Sequence, residues 1–168
     1  MNNLSRRVLV SMGAILLLRA GPTVQAQEPT AARAQVVSAN PFGLLLGLFN
    51  AEYERKVSAS ASAGVGGSSF VGGDDEYLNA DAFYRFYPSG RPLDGFAFGV
   101  KAGMTNIRHT GTYVGVGFDT NWSWLLGQND HFYVGAGFGL KRLFGVGATD
   151  TNLEFIPTVR IINVGIAF

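Results

Sequence analysis

The sequence predicts an all-β fold: an eight-stranded antiparallel up-and-down barrel that crosses a membrane, preceded by a cleavable leader. Three observations carry this prediction. Hydropathy alternates with a period of two along most of the chain. Glycine, 23 residues of 168, crowds one of the two alternating faces. Turn formers separate the alternating stretches in a short and long rhythm.

The first element is the leader. MNNLSRR carries Arg6 and Arg7, Val8–Leu18 is apolar, and TVQA ends on Ala26. Basic, apolar and small, in that order, is a secretory signal peptide, expected over residues 1–26. A helix of eleven residues is only ~16 Å long, too short for a ~30 Å hydrocarbon core. Arg19 also interrupts the run, which argues against an uncleaved anchor. Loss of Arg6, Arg7 and Arg19 with the leader leaves ten basic and twelve acidic residues, a net charge of about −2. Nucleic acid would call for a basic stripe, and there is none. The absence of cysteine excludes a disulfide framework, a thiolate metal site and a lipidated cysteine. With 15% charged and 12% aromatic residues, the composition is the reverse of a disordered chain.

A linker is expected over 27–34 and the barrel over 35–168. Ala34–Ala39 reads as a short first strand, Asn40–Gly43 as a turn and Leu44–Arg55 as the second strand. That register puts Leu44, Leu46 and Leu48 on the face of Glu52, unless a bulge intervenes. In ASASAGVGG, Ala59, Ala61, Ala63 and Val65 oppose Ser60, Ser62, Gly64 and Gly66. In NADAFYRFYP, Asp81 and Arg85 oppose Ala82, Tyr84 and Phe86. In GFAFGVKAGM, Phe96, Phe98, Val100, Ala102 and Met104 oppose Ala97, Gly99, Lys101 and Gly103. The sixth strand sets Val114, Val116, Phe118, Trp122 and Trp124 against Gly115, Gly117, Asp119, Asn121 and Ser123. The seventh sets Phe132, Val134, Ala136, Phe138 and Leu140 against Tyr133, Gly135, Gly137, Gly139 and Lys141. The eighth, FIPTVRIINVGIAF, places Ile156, Thr158, Ile162, Val164, Ile166 and Phe168 together. Arg160 interrupts that row, either by snorkelling or because a bulge changes the register.

Size decides which face is inside. An eight-stranded barrel has room for its own side chains and little else. The apolar faces would overfill such a lumen, whereas the Gly, Ala and Ser faces fit it. The greasy side therefore points outward, and its solvent is lipid. A closed barrel then follows, since hydrocarbon does not tolerate an open sheet edge. The charges follow the small face, which predicts a lumen network of Glu52, Glu54, Asp81, Arg85, Lys101, Asp119 and Lys141, four acids against three bases. Such a cluster reads either as an ion path or as a polar plug. Trp122, Trp124 and Phe132 are expected in an aromatic girdle at the rim of the short turns, which also receives Phe168.

These features resemble the small eight-stranded outer-membrane barrels of Gram-negative bacteria, the group that includes the transmembrane domain of outer membrane protein A. The resemblance is carried by the leader, the alternating strands and the ending VGIAF. NPFGLLLGLFNAEYERKVS is also similar to the first hairpin of poorly characterised small barrel families. The resemblance implies a bacterial outer-membrane location and a monomer. It also implies that Phe168, with Ile166 and Val164 at alternate positions before it, is the recognition signal for the barrel-assembly machinery. No globular domain is expected after Phe168, so a peptidoglycan-tethering role is not implied.

No enzyme, metal or cofactor is expected. His109 falls in an outer loop and His131 at the opposite rim, and neither stands in a set with a nucleophile and an acid. Asp74, Asp75 and Glu76 have the chemistry for a divalent cation, but three acids in a loop are more often simply solvated. Arg108 and His109 suit lipopolysaccharide phosphates, which with outer-membrane lipids are the expected partners. The glycines of VGAGFG alternate on a strand and make no nucleotide loop. Two readings remain ahead of a lipid-modifying enzyme: a structural or surface-interaction barrel, and a narrow channel for small solutes.

Overall fold

In a computed structural model, residues 33–72, 76–146 and 155–168 are described. The leader, the linker as far as residue 32, and Asp74 and Asp75 lie outside them. Eight strands form a closed antiparallel barrel in which each pairs with its neighbours in sequence. They are β1 (Gln35–Ala39), β2 (Leu48–Lys56), β3 (Ala61–Phe70), β4 (Tyr77–Phe86), β5 (Gly95–Ile107), β6 (Gly111–Leu126), β7 (Phe132–Gly145) and β8 (Phe155–Ala167). At ~3.3 Å per residue and ~40° tilt, the 13 residues of β5 rise about 33 Å, enough to cross a ~25 Å apolar band. Among the described residues no helix is long and apolar enough to cross a membrane; any crossing is by strands.

Alternation fixes the two faces. Phe98, Val100, Met104, Val116, Phe118 and Phe138 all stand outward, each half or more exposed. Between them Ala97, Asp119, Tyr133 and Lys141 are buried in the lumen. Connections at the end carrying Phe168 are the β2–β3, β4–β5 and β6–β7 turns, the middle one, 87–94, being the longest. At Gly127–Asp130 the backbone takes positive φ at Gly127, Asn129 and Asp130, conformations that Gly, Asn and Asp adopt most readily.

Two sequence expectations need correction. The second strand begins at Leu48, not Leu44. Gly43–Leu46 is a single turn of 3-10 helix that ends on Gly47 with φ 72°. The Asn40 side chain starts it, accepting hydrogen bonds from the N–H groups of Phe42 and Gly43. Leu44, Leu45 and Leu46 are therefore exposed outside the wall, and only Leu48 shares the inner face of Glu52.

The second correction concerns β8. Its register against β7 shifts between Gly135 and Gly137. Ile161 and Ile162 are both exposed, so the faces exchange there. Below the bulge Ile162, Val164, Ile166 and Phe168 face out. Above it Phe155, Val159 and Ile161 face out, while Ile156 and Thr158 turn toward the lumen. The bulge also turns Arg160 inward, where it is 6% exposed.

Candidate functional site

The lumen is filled by ion pairs, and glycines make the room for them. Around one ring, register runs Glu52, Gly66, Asp81, Gly103 from β2 to β5. Around another it runs Arg85, Gly99, Asp119, Gly139 from β4 to β7. A Cβ on Gly99 would lie 2.0 Å from Asp119 Oδ1, and one on Gly103 would lie 2.4 Å from Asp81 Oδ1. Large and absent side chains alternate around the barrel, so a narrow interior holds long charged groups.

Arg85 is the hub. Its guanidinium meets Glu54 at 2.5 Å, Glu52 at 3.3 Å and Asp119 at 3.9 Å. It also lies 4.0 Å over the ring of Phe83. Glu54 accepts further hydrogen bonds from the hydroxyls of Ser62 (2.5 Å) and Tyr87 (2.7 Å). Lys101 pairs with Asp119 at 3.0 Å and donates to Thr158 Oγ1 at 3.1 Å. Arg160 pairs with Glu52 at 3.0 Å. A second group sits beside this one: Lys141 Nζ pairs with Asp81 at 2.5 Å and donates to Asn79 Oδ1 at 2.7 Å. Each group is neutral. Three bases meet three acids around Arg85, and one meets one at Lys141. A buried ion is tolerable only with its partner in place, and here every one of the eight has one.

All seven sequence-predicted lumen residues thus line the interior, joined by Arg160. The excess acid in the four-to-three count arose because strict alternation put Arg160 outside. Phe83, on the same face as Asp81 and Arg85, also stands inward at 7% exposure. The signal for it was present: Gly64 faces it across the β3–β4 ladder, and a Cβ there would lie 2.5 Å from the Phe83 ring.

At the end carrying Phe168 the lumen is closed by apolar packing. Val36, Leu93, Tyr133 and Ala167 are each no more than 1% exposed and pack as one cluster. Leu93 comes from the β4–β5 turn with φ 73°, a conformation disfavoured for leucine, and its side chain is fully buried. Toward the other end lies a cavity of about 650 Å³, bounded below by Glu52, Arg85, Lys101 and Arg160. None of the four closing residues lines it.

The rim residues fall as follows. Trp122 and Trp124 are exposed with ring centroids 6.3 Å apart, and Phe96 stands 5.8 Å from Trp122. Phe132, Val164, Ile166 and Phe168 are exposed at the same end. The Phe168 N–H donates to Gln35 O at 2.9 Å, fastening β8 to β1. At the opposite end Arg108 pairs with Glu76, and His109 sits at φ 67° in the β5–β6 turn. His131 lies at the other rim, against Phe132. Among the described residues neither histidine meets a hydroxyl–acid pair, and the lumen pair of Ser62 and Glu54 has no histidine among its partners.

Closed antiparallel topology, an apolar exterior and a charged interior define an up-and-down β-barrel with the polarity expected of a membrane-spanning one. No family model and no curated protein matches the chain. Among solved structures it is similar to the N-terminal β-barrel domain of OprF from Pseudomonas aeruginosa. Identity is 16% and the TM-score 0.48, over 81% of this chain and 98% of that one. The fold assignment rests on the strand register of this chain and takes nothing further from that likeness.

Proposed function

We propose that the chain is an integral outer-membrane barrel of the Gram-negative envelope with a structural or surface-interaction role, and that its lumen is a plug. The observation that carries this reading is the pairing of all eight lumen ions above a floor of Val36, Leu93, Tyr133 and Ala167. A conducting path needs charges or waters free to exchange with an ion. Here each charge has an opposite charge within 4 Å, and the floor is mainly apolar. The alternative, a narrow solute channel, finds support only in the cavity above the charged layer, which does not reach the floor.

In this reading Val164, Ile166 and Phe168 present the assembly signal, the partners are membrane lipids, lipopolysaccharide and the barrel-assembly machinery, and the barrel is a monomer without cofactor or catalysis. Two measurements test it together. Membrane fractions run unheated and heated on a gel are expected to show the mobility shift of a folded barrel. The purified protein in a planar bilayer is expected to pass no resolvable current. Steady single-channel steps would overturn the plug.

A further inference from the structure

The wall of this barrel is not equally tall all round. β1 has five residues, a rise of about 13 Å, roughly half of the ~25 Å apolar band. Its ladder with β8 covers only Val36–Ala39 against Val164–Ala167. Above that point β8 keeps its β7 partner as far as Phe155. Among the described residues it has no strand on its other side, because the chain leaves the wall at Asn40. Two strand spacings, ~9.5 Å, then separate β8 from β2. The sill of this gap is a hydrogen bond from Asn163 Nδ2 to Asn50 Oδ1, 3.0 Å long.

The lumen cavity reaches the gap. Its lining includes the inward residues Leu48, Tyr77 and Thr105. It also includes Phe49 on one side of the gap and Val159 and Ile161 on the other, which are exposed on the apolar exterior. Pro157 stands on the same β8 edge, where a residue without an N–H is tolerated. This stretch of β8, residues 156–161, lines the cavity, a setting in which unpaired backbone is tolerated at membrane depth. At the head of the gap Phe42, Leu44, Leu45 and Leu46 are all exposed, Leu45 to 85%.

We propose that this gap is a side port through which one aliphatic chain of an amphiphile passes from the bilayer into the cavity. The tail lies between Phe49 and the pair Val159 and Ile161; the polar head meets Asn79, Thr105 and the charged layer. The lining favours an uncharged head. Glu52, Asp81 and Asp119 in that lining are matched by Arg85, Lys101 and Arg160, so it offers no net charge to an ion. The inference rests on the exterior lying in lipid, and the test separates the two.

The probe is a monoacylglycerol with a diazirine at its chain end, photolysed with the full-length protein in phosphatidylcholine nanodiscs. Mass spectrometry locates the adducts. Adducts concentrated on Leu48, Phe49 and residues 157–161 are expected. Ser68→Phe and Leu48→Trp, which fill the cavity from two neighbouring strands, are each expected to lower that labelling roughly tenfold, the loss of about one decade of affinity. Both are to be used only as species that retain the folded gel mobility. Adducts spread evenly around the apolar belt overturn the port, as does labelling that both filling variants leave unchanged. Native protein that shows no folded mobility shift and stays in solution without detergent overturns the membrane reading as well.

Discussion

Replacing Arg85 by methionine removes the hub of the lumen and keeps most of its volume. Arg85 is 2% exposed and carries ionic contacts to Glu54, Glu52 and Asp119. In Arg85→Met, Glu52 keeps Arg160 and Asp119 keeps Lys101. Glu54, 1% exposed, is left with the hydroxyls of Ser62 and Tyr87 and no cation. Breaking a buried pair from one side costs about 3–5 kcal/mol. At 1.4 kcal/mol per decade that is roughly two to nearly four decades in the folding equilibrium. The assay is urea unfolding of protein refolded into lipid vesicles, read by the fluorescence of Trp122 and Trp124 and by the fraction with folded gel mobility. Adding Glu54→Gln to Arg85→Met removes the stranded charge and is expected to recover about 1–3 kcal/mol, the cost of leaving a buried group unsatisfied. If Arg85→Met stays within about 1 kcal/mol of the native protein, a typical substitution effect, the ions do not hold this barrel together.

Other substitutions probe other parts of the account. Gly99→Ala puts a methyl 2.0 Å from Asp119 Oδ1 and is expected to cost about 1–3 kcal/mol in the same unfolding assay. Gly90→Ala, with nothing within 4 Å of its Cβ, has only its positive φ to contend with and serves as the comparison. Leu93→Ala empties the apolar floor and is expected to cost about 2–5 kcal/mol. Arg160→Gln leaves Glu52 with Arg85 alone, so a smaller loss than in Arg85→Met is expected, and the reverse order would place the hub elsewhere. Deleting Phe168 removes the anchor to Gln35 and the last residue of the proposed assembly signal. Less folded protein in the outer-membrane fraction is expected, and unchanged yield contradicts that role.

The barrel was legible because a period of two survives wherever one face meets lipid and the other a narrow lumen. β5, β6 and β7 keep strict alternation, and their faces can be read residue by residue. Legibility failed where the backbone left that period. The bulge in β8 adds a residue without changing composition, so Ile156 and Thr158 read as outward and Arg160 as an exception. The charge count was the clue, since four acids against three bases leave the lumen one positive charge short of neutral until Arg160 joins it. The Phe42–Leu46 stretch failed for a different reason. Three leucines in sequence suit a strand, but the Asn40 side chain bonds to the N–H groups of Phe42 and Gly43 and starts a helical turn instead. Leu93 could not be placed from sequence at all, because nothing local says that a turn residue folds back into the barrel mouth.

The most direct test of the central claim is a nitroxide scan of Phe96 to Met104 in lipid vesicles, one cysteine at a time in this cysteine-free chain. Lipid-dissolved oxygen reaches labels on the outer face, whereas a water-soluble nickel chelate reaches labels in contact with solvent. High oxygen accessibility at Phe96, Phe98, Val100, Ala102 and Met104, alternating with low values at Ala97, Gly99, Lys101 and Gly103, is the expected result. Nickel accessibility at the even positions, or no alternation at all, would contradict a barrel whose aromatic side is wetted by lipid.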